Sequence, residues 1–267
     1  MKPAGPLLVV LVILFSGAGC SPALREAPAL PGADRPISAI EAEARYLEAL
    51  ELFGTRQEEA VRRAGRLLRE SAAALDDGSP ALLALVELLV WQVEHEPDAA
   101  AREDLAEGAV HAGQWCLESA PEQPACRYRL AIAVGVQARE RPGTGLDAMK
   151  VMVELLEEAR VADPGFDHGG PDRVLALLYL RAPGWPAGPG DADLGHEHAL
   201  AAVALDPGFP PNHLVLGEAL EAVELEDEAL KAYRAALVLA EGMRESRGRD
   251  AAEWVQEAES ALARIGA

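Results

Sequence analysis

Few side chains in this sequence stand at spacings that could carry chemistry. His196-Glu197-His198 offers two imidazoles and a carboxylate, which are the ligand types of a zinc site. Residues two apart point about 200° around a helix, so these histidines cannot close on one ion from a regular helix. The spacing of four used by helical zinc proteases is absent. His95, His111, His168 and His213 are scattered, so surface or capping roles are expected. Gly143-Thr144-Gly145-Leu146-Asp147-Ala148 mimics a dinucleotide-binding turn. Such a turn needs a strand before it, and Leu130 to Glu140 reads as helix, so a hairpin loop is expected. No nucleophile elbow, phosphate loop, paired-carboxylate pattern or Cys/His cluster occurs in the sequence. It reads as a non-enzyme with no cofactor and no metal.

The cysteines carry more. Lys2, the apolar run Leu7 to Phe15 and the small residues Ser16-Gly17-Ala18-Gly19 lead to Cys20, the pattern of an export signal. The apolar run is far short of the roughly 20 residues that span a bilayer. A cysteine directly after Ala18-Gly19 looks like a bacterial lipobox, with Gly17 where Leu is usual. The expectation is removal of residues 1–19 and acylation of Cys20; the alternative is an ordinary signal peptide with a chance cysteine. Ser21 after it favours the outer membrane, facing the periplasm. Cys116 and Cys126 lie five residues either side of Pro121, opposite each other if a hairpin turns there. In an oxidising periplasm a disulfide is open to them, as is a role as two small buried hydrophobes.

These residues need a scaffold, and composition says which. The 267 residues are 50% apolar but only 4% aromatic, a palette of packed helices. Lys+Arg 24 against Asp+Glu 44 gives a net charge of −20, which argues against nucleic acid as a partner. Residues 20–36 hold four prolines after Cys20 and no helical period, and read as a tether. Residues 37–267 read as one all-α domain. Helical periodicity pairs 37–53 with 57–75, 80–95 with 99–119, 124–139 with 145–162, 170–181 with 191–205, and 211–223 with 226–240. A capping helix covers 249–264.

Internal repetition gives the architecture. Asp163-Pro164-Gly165-Phe166 recurs as Asp206-Pro207-Gly208-Phe209, each time between two helices. From there the tetratricopeptide template of 34 residues fits, with Leu216-Gly217, Leu220, Ala229, Tyr233 and Ala236 on its slots and Pro207 closing the unit before. Small side chains at Gly217, Ala229 and Ala236 let two antiparallel helices approach, and Tyr233 fills the groove between them. The preceding unit fits through Leu175-Ala176, Tyr179, Gly195, Ala199 and Ala202, with an insertion at Ala182 to Asp191. The expected fold is a tetratricopeptide-like solenoid of about five hairpins.

Gly169 to Ala222 resembles the T component of tripartite ATP-independent periplasmic (TRAP) transporters. The match rests on Gly169-Gly170, Arg173 opening a helix, Tyr179 before Ala182-Pro183, the loop ending in Gly190-Asp191, the Asp206-Pro207 stop, and Asn212. The resemblance implies a periplasmic lipoprotein of helical hairpins that docks a solute-binding protein and helps handle a small hydrophobic organic ligand. A structural lipoprotein that scaffolds another envelope complex is the alternative.

Candidate binding or docking residues are Arg173, Tyr179, Trp185 and Asn212. Trp185 lies in the stiff loop Pro183-Gly184-Trp185-Pro186. The favoured reading has it fold back over the helix ends around Tyr179. The other makes it a rigid lip on a cleft, with Arg173 nearby to pair an acidic group.

Overall fold

Local rules set most helix starts. Ser38, Asp98 and Asp191 cap helices with side-chain oxygens that accept from the backbone N–H of Glu41, Ala101 and Leu194. Pro80, Pro124 and Pro210 stand in first turns, where a missing N–H costs nothing. In a computed structural model that describes residues 24–31 and 37–266, these starts open helices α1 (Ala39–Gly54), α3 (Ser79–His95), α4 (Ala99–Ser119), α5 (Pro124–Glu140), α8 (Ala192–Leu205) and α9 (Pro210–Ala222). Between and after them lie α2 (Glu58–Ala74), α6 (Gly145–Ala162), α7 (Phe166–Arg181), α10 (Glu226–Gly242) and α11 (Arg244–Ile265). Among the described residues there is no strand, only an isolated backbone bridge between Gly184 and Gly190. None of the described helices is long and apolar enough to cross a membrane.

The helices expected from periodicity are all present. The two that start early contain a break. In α7, Asp167, His168 and Gly169 have φ of 50°, 61° and 76°, so the regular helix begins at Gly170. In α11, Gly248 at φ 45° separates a first turn from the helix proper. Of the segment expected to be a hairpin loop, Gly143 and Thr144 end a short 3-10 turn (Pro142–Thr144) between α5 and α6, while Gly145 to Ala148 form the first turn of α6.

Packing follows chain order. Each helix lies on the next, and the first helices of successive hairpins also touch, α1 on α3, α3 on α5, α5 on α7 and α7 on α9. That double set of contacts makes a solenoid. Gly217 shows why small residues are needed. A Cβ there would lie 2.5 Å from the Tyr233 ring, so any larger side chain would force the ring, and with it the α9–α10 contact, to shift. Tyr233, Ala229 and Ala236 are buried with Leu214 and Leu220 in that hairpin's core.

Cys116 and Cys126 are both buried and joined as a disulfide across the α4–α5 turn, with Cα atoms 5.4 Å apart. Residues 24–31 lie against α4 without forming a helix. Gln114 Nε2 donates to the Arg25 carbonyl at 2.8 Å and Trp115 Nε1 to the Pro28 carbonyl at 2.7 Å. Cys20, Lys2 and the apolar run Leu7 to Phe15 lie outside the described residues.

Candidate functional site

The joint between α5, α7 and α9 gathers the polar residues of the 169–222 stretch. Arg173 on α7 is 9% exposed and Asn212 on α9 fully buried. Arg173 Nη1 donates to the carbonyls of Asp167 and His168 and to Asn212 Oδ1, at 3.0, 3.3 and 3.0 Å. Its Nη2 donates to Asp167 Oδ2 at 2.8 Å, and the Tyr128 hydroxyl on α5 donates to the same oxygen at 2.6 Å. Asn212 Nδ2 donates to the carbonyls of His168, Ala202 and Asp206. These bonds hold three successive residues in the left-handed region, a conformation that costs L-residues energy and persists only when its surroundings enforce it.

The structure places Arg173 and Asn212, two of the candidate docking residues, inside the joint between α7 and α9. Their polar atoms turn inward and are satisfied, Arg173 and Asn212 both donating to carbonyls of the left-handed turn. Burial pushes the Tyr128 phenol well above its usual range, so it stays a proton donor.

Around this joint, His168 Nδ1 meets Asp206 Oδ2 at 2.6 Å while its ring stacks on Phe209 at 4.2 Å. The His168 bond holds the Asp206 carboxyl below the usual range. Phe209 in turn meets Trp254 of α11 edge to face. His198 is not a surface residue: its Nδ1 lies 2.7 Å from buried Asp172, and its ring stacks on Tyr179 at 5.5 Å. Tyr179 is half-buried; that burial, then the charges of Glu157 and Asp191, raise its phenol pKa. Among the described residues no group of three His, Cys, Asp or Glu side chains is placed to hold a metal ion.

Trp185 is 89% exposed and does not fold back over Tyr179. The loop is closed by its own backbone, with Gly190 N–H donating to the Pro183 carbonyl and Asp191 N–H to the Tyr179 carbonyl, both at 2.9 Å. Those bonds pin the loop base to α7 and leave the indole pointing outward.

Beside the loop base lies a cavity of about 580 Å³ between α5, α6 and α7. Ala138, Met149, Met152, Val174 and Leu177 line it, with Ala182 and Pro183 at the rim. Two arginines border it, but Arg139 is held by Glu94 and Glu140 and Arg181 by both carboxylate oxygens of Glu218. With those charges already paired, the cavity suits an apolar molecule more than an anion. No spacing in the sequence marks the cavity, since its walls come from three helices whose apolar residues also follow the core period.

No protein-family model matches this chain, and no curated protein matches it. Solved structures do. TTC0263, a thermophilic TPR protein of Thermus thermophilus, superposes with a TM-score of 0.59 at 18% identity, covering 83% of this chain and 99% of its own. Two structures of MamA are similar at TM-scores of 0.49 and 0.48, with 17% and 18% identity over 78% and 72% of this chain and 96% and 95% of theirs. The fold is a tetratricopeptide-like helical solenoid.

Proposed function

We propose that this protein is a lipid-anchored interaction module of the bacterial periplasm, and that it serves as the accessory component of a TRAP-type transporter. Acylation of Cys20 tethers it to the outer membrane, where it docks a solute-binding protein and holds a small hydrophobic organic molecule. One observation carries the reading. The stretch that resembles the T component, 169–222, supplies α7 and the loop base as one side of the apolar cavity, and presents Trp185 to solvent beside it. A cavity of about 580 Å³ lies within the range of small-molecule sites. Tetratricopeptide hairpins otherwise work by offering a curved surface to another protein. The chain's net charge of −20 adds long-range attraction for a partner with basic patches.

The test is affinity purification of the tagged, membrane-anchored protein from its own cells, with the bound proteins identified by mass spectrometry. The reading expects a periplasmic solute-binding protein, released as salt is raised because screening weakens exposed charge contacts. Recovery of envelope-assembly proteins in its place would favour a structural scaffold.

A further inference from the structure

The segment before α1 has a pattern of its own. Leu24, Ala27 and Leu30 are half-buried against the hydrophobic core, while Arg25, Glu26, Pro28 and Ala29 face solvent. A spacing of three is the period of a polyproline II chain, which turns one side inward every third residue and leaves its backbone groups free for other partners. Two of those groups are used. The carbonyls of Arg25 and Pro28 accept from Gln114 and Trp115 of α4. Pro28 and Pro31 stiffen the segment and lower the entropy lost when it is laid down.

We propose that residues 24–31 are a strap that turns the anchored N-terminus from a leash into a short mount, holding the α4 flank at the lipid surface. The proposal rests on the reading that Cys20 is acylated. Fully extended chain reaches at most about 3.5 Å per residue, so the acylated residue can stand no more than about 14 Å from Leu24. Without the strap, the chain from Cys20 to Ile37 would reach about 60 Å, with a root-mean-square span of about 20 Å. The strap thus fixes which side of the solenoid meets the membrane and shortens the maximum reach about fourfold. The cavity and Trp185, on α5–α7 and the loop after α7, are then carried at a set height for a soluble partner.

The experiment uses the full-length protein purified from bacterial membranes and placed in a supported bilayer. Mass spectrometry reads acylation of Cys20, and neutron reflectometry reads the gap between headgroups and protein. The native protein is expected within about 14 Å of the headgroups. The double variant Leu24→Asp/Leu30→Asp is expected to stand farther off, with helical content by circular dichroism unchanged. Trp115→Phe keeps an aromatic ring there, though a smaller one, and removes the donor, and is expected to widen the gap in smaller measure. Acylated native protein with a gap of tens of ångströms, or equal gaps in native and both variants, overturns the strap while leaving the anchor intact. Native protein without acyl chains overturns both.

Discussion

Arg173 and Asn212 meet at 3.0 Å inside the joint between α7 and α9, and the same arginine reaches Tyr128 of α5 at 3.4 Å. One guanidinium thus links three successive first helices. That makes it a structural fastener of the solenoid, and its removal takes one donor each from the Asp167 carboxylate, the Asp167 and His168 carbonyls and Asn212 Oδ1. Arg173→Ala is expected to cost about 2–4 kcal/mol, read from urea unfolding. Arg173→Lys recovers little, because a point charge cannot fork between a carboxylate and two carbonyls. Unchanged stability in both variants would contradict the role.

Gly217 faces the Tyr233 ring so closely that one methyl group must move it. Gly217→Ala is expected to destabilise by about 1–3 kcal/mol through overpacking, outweighing the usual helical gain of Ala over Gly. Combining it with Tyr233→Leu should cost less than the sum of the two single changes, since the shared contact is lost only once. Simple additivity would show that the ring is not what excludes the side chain.

The Cys116–Cys126 bridge closes a short loop with a sequence separation of 10. Replacing both by Ala is expected to lower stability by about 2–3 kcal/mol, measured as a lower midpoint in thermal or urea unfolding. Protein denatured without reductant should take up no thiol label at either position. Labelling there would show that the two thiols are free.

Acid should weaken the fold in a narrow window. Hydrogen bonds from His168 to Asp206, from Arg141 to Glu107 and from Arg102 to Glu140 hold these carboxyls below their ordinary values. A depressed carboxyl stabilises the folded state above its unfolded pKa of about 3.9 to 4.3, and that contribution is lost as pH falls through the folded value. Stability is therefore expected to hold from about pH 7 to about 5 and to fall below about 4. Glu107→Gln should flatten part of that fall. A stability curve flat down to about pH 3 would contradict the ion-pair assignments.

How much of this is readable in the residues depends on where their partners lie in the chain. Gly217, Ala229, Tyr233 and Ala236 announce the last hairpin because their contacts sit within one repeat unit, and the small-residue slots leave a regular trace. Arg173 and Asn212 are visible as polar residues at helix starts, but not the direction they face. That depends on Asp167 and His168 entering the left-handed region, and nothing in their side chains requires it. Residue type alone lays Trp185 over Tyr179, because a large apolar group avoids water when it can. Backbone bonds at Pro183 and Asp191 close the loop with the ring outside. Leu24, Ala27 and Leu30 carry no helical period, and their partner Trp115 lies 87 residues downstream of Pro28, so the strap reads as a tether. Short-range spacing is legible; long-range polar pairing is not.

An exposed indole that supports nothing should be dispensable for folding. Trp185→Ala is expected to change unfolding free energy by less than about 0.5 kcal/mol while weakening capture of the docking partner. A large loss of stability would show that the loop is part of the core.

The proposed role depends on this loop, beside the apolar cavity, being the face presented to a solute-binding protein. A photo-crosslinking amino acid at position 185 in living cells reads that contact, with position 231 on α10 as the control, since Lys231 is also well exposed. A solute-binding protein should be joined through position 185 and not through 231. Crosslinks to that protein from both positions alike, or from neither, would refute the docking face.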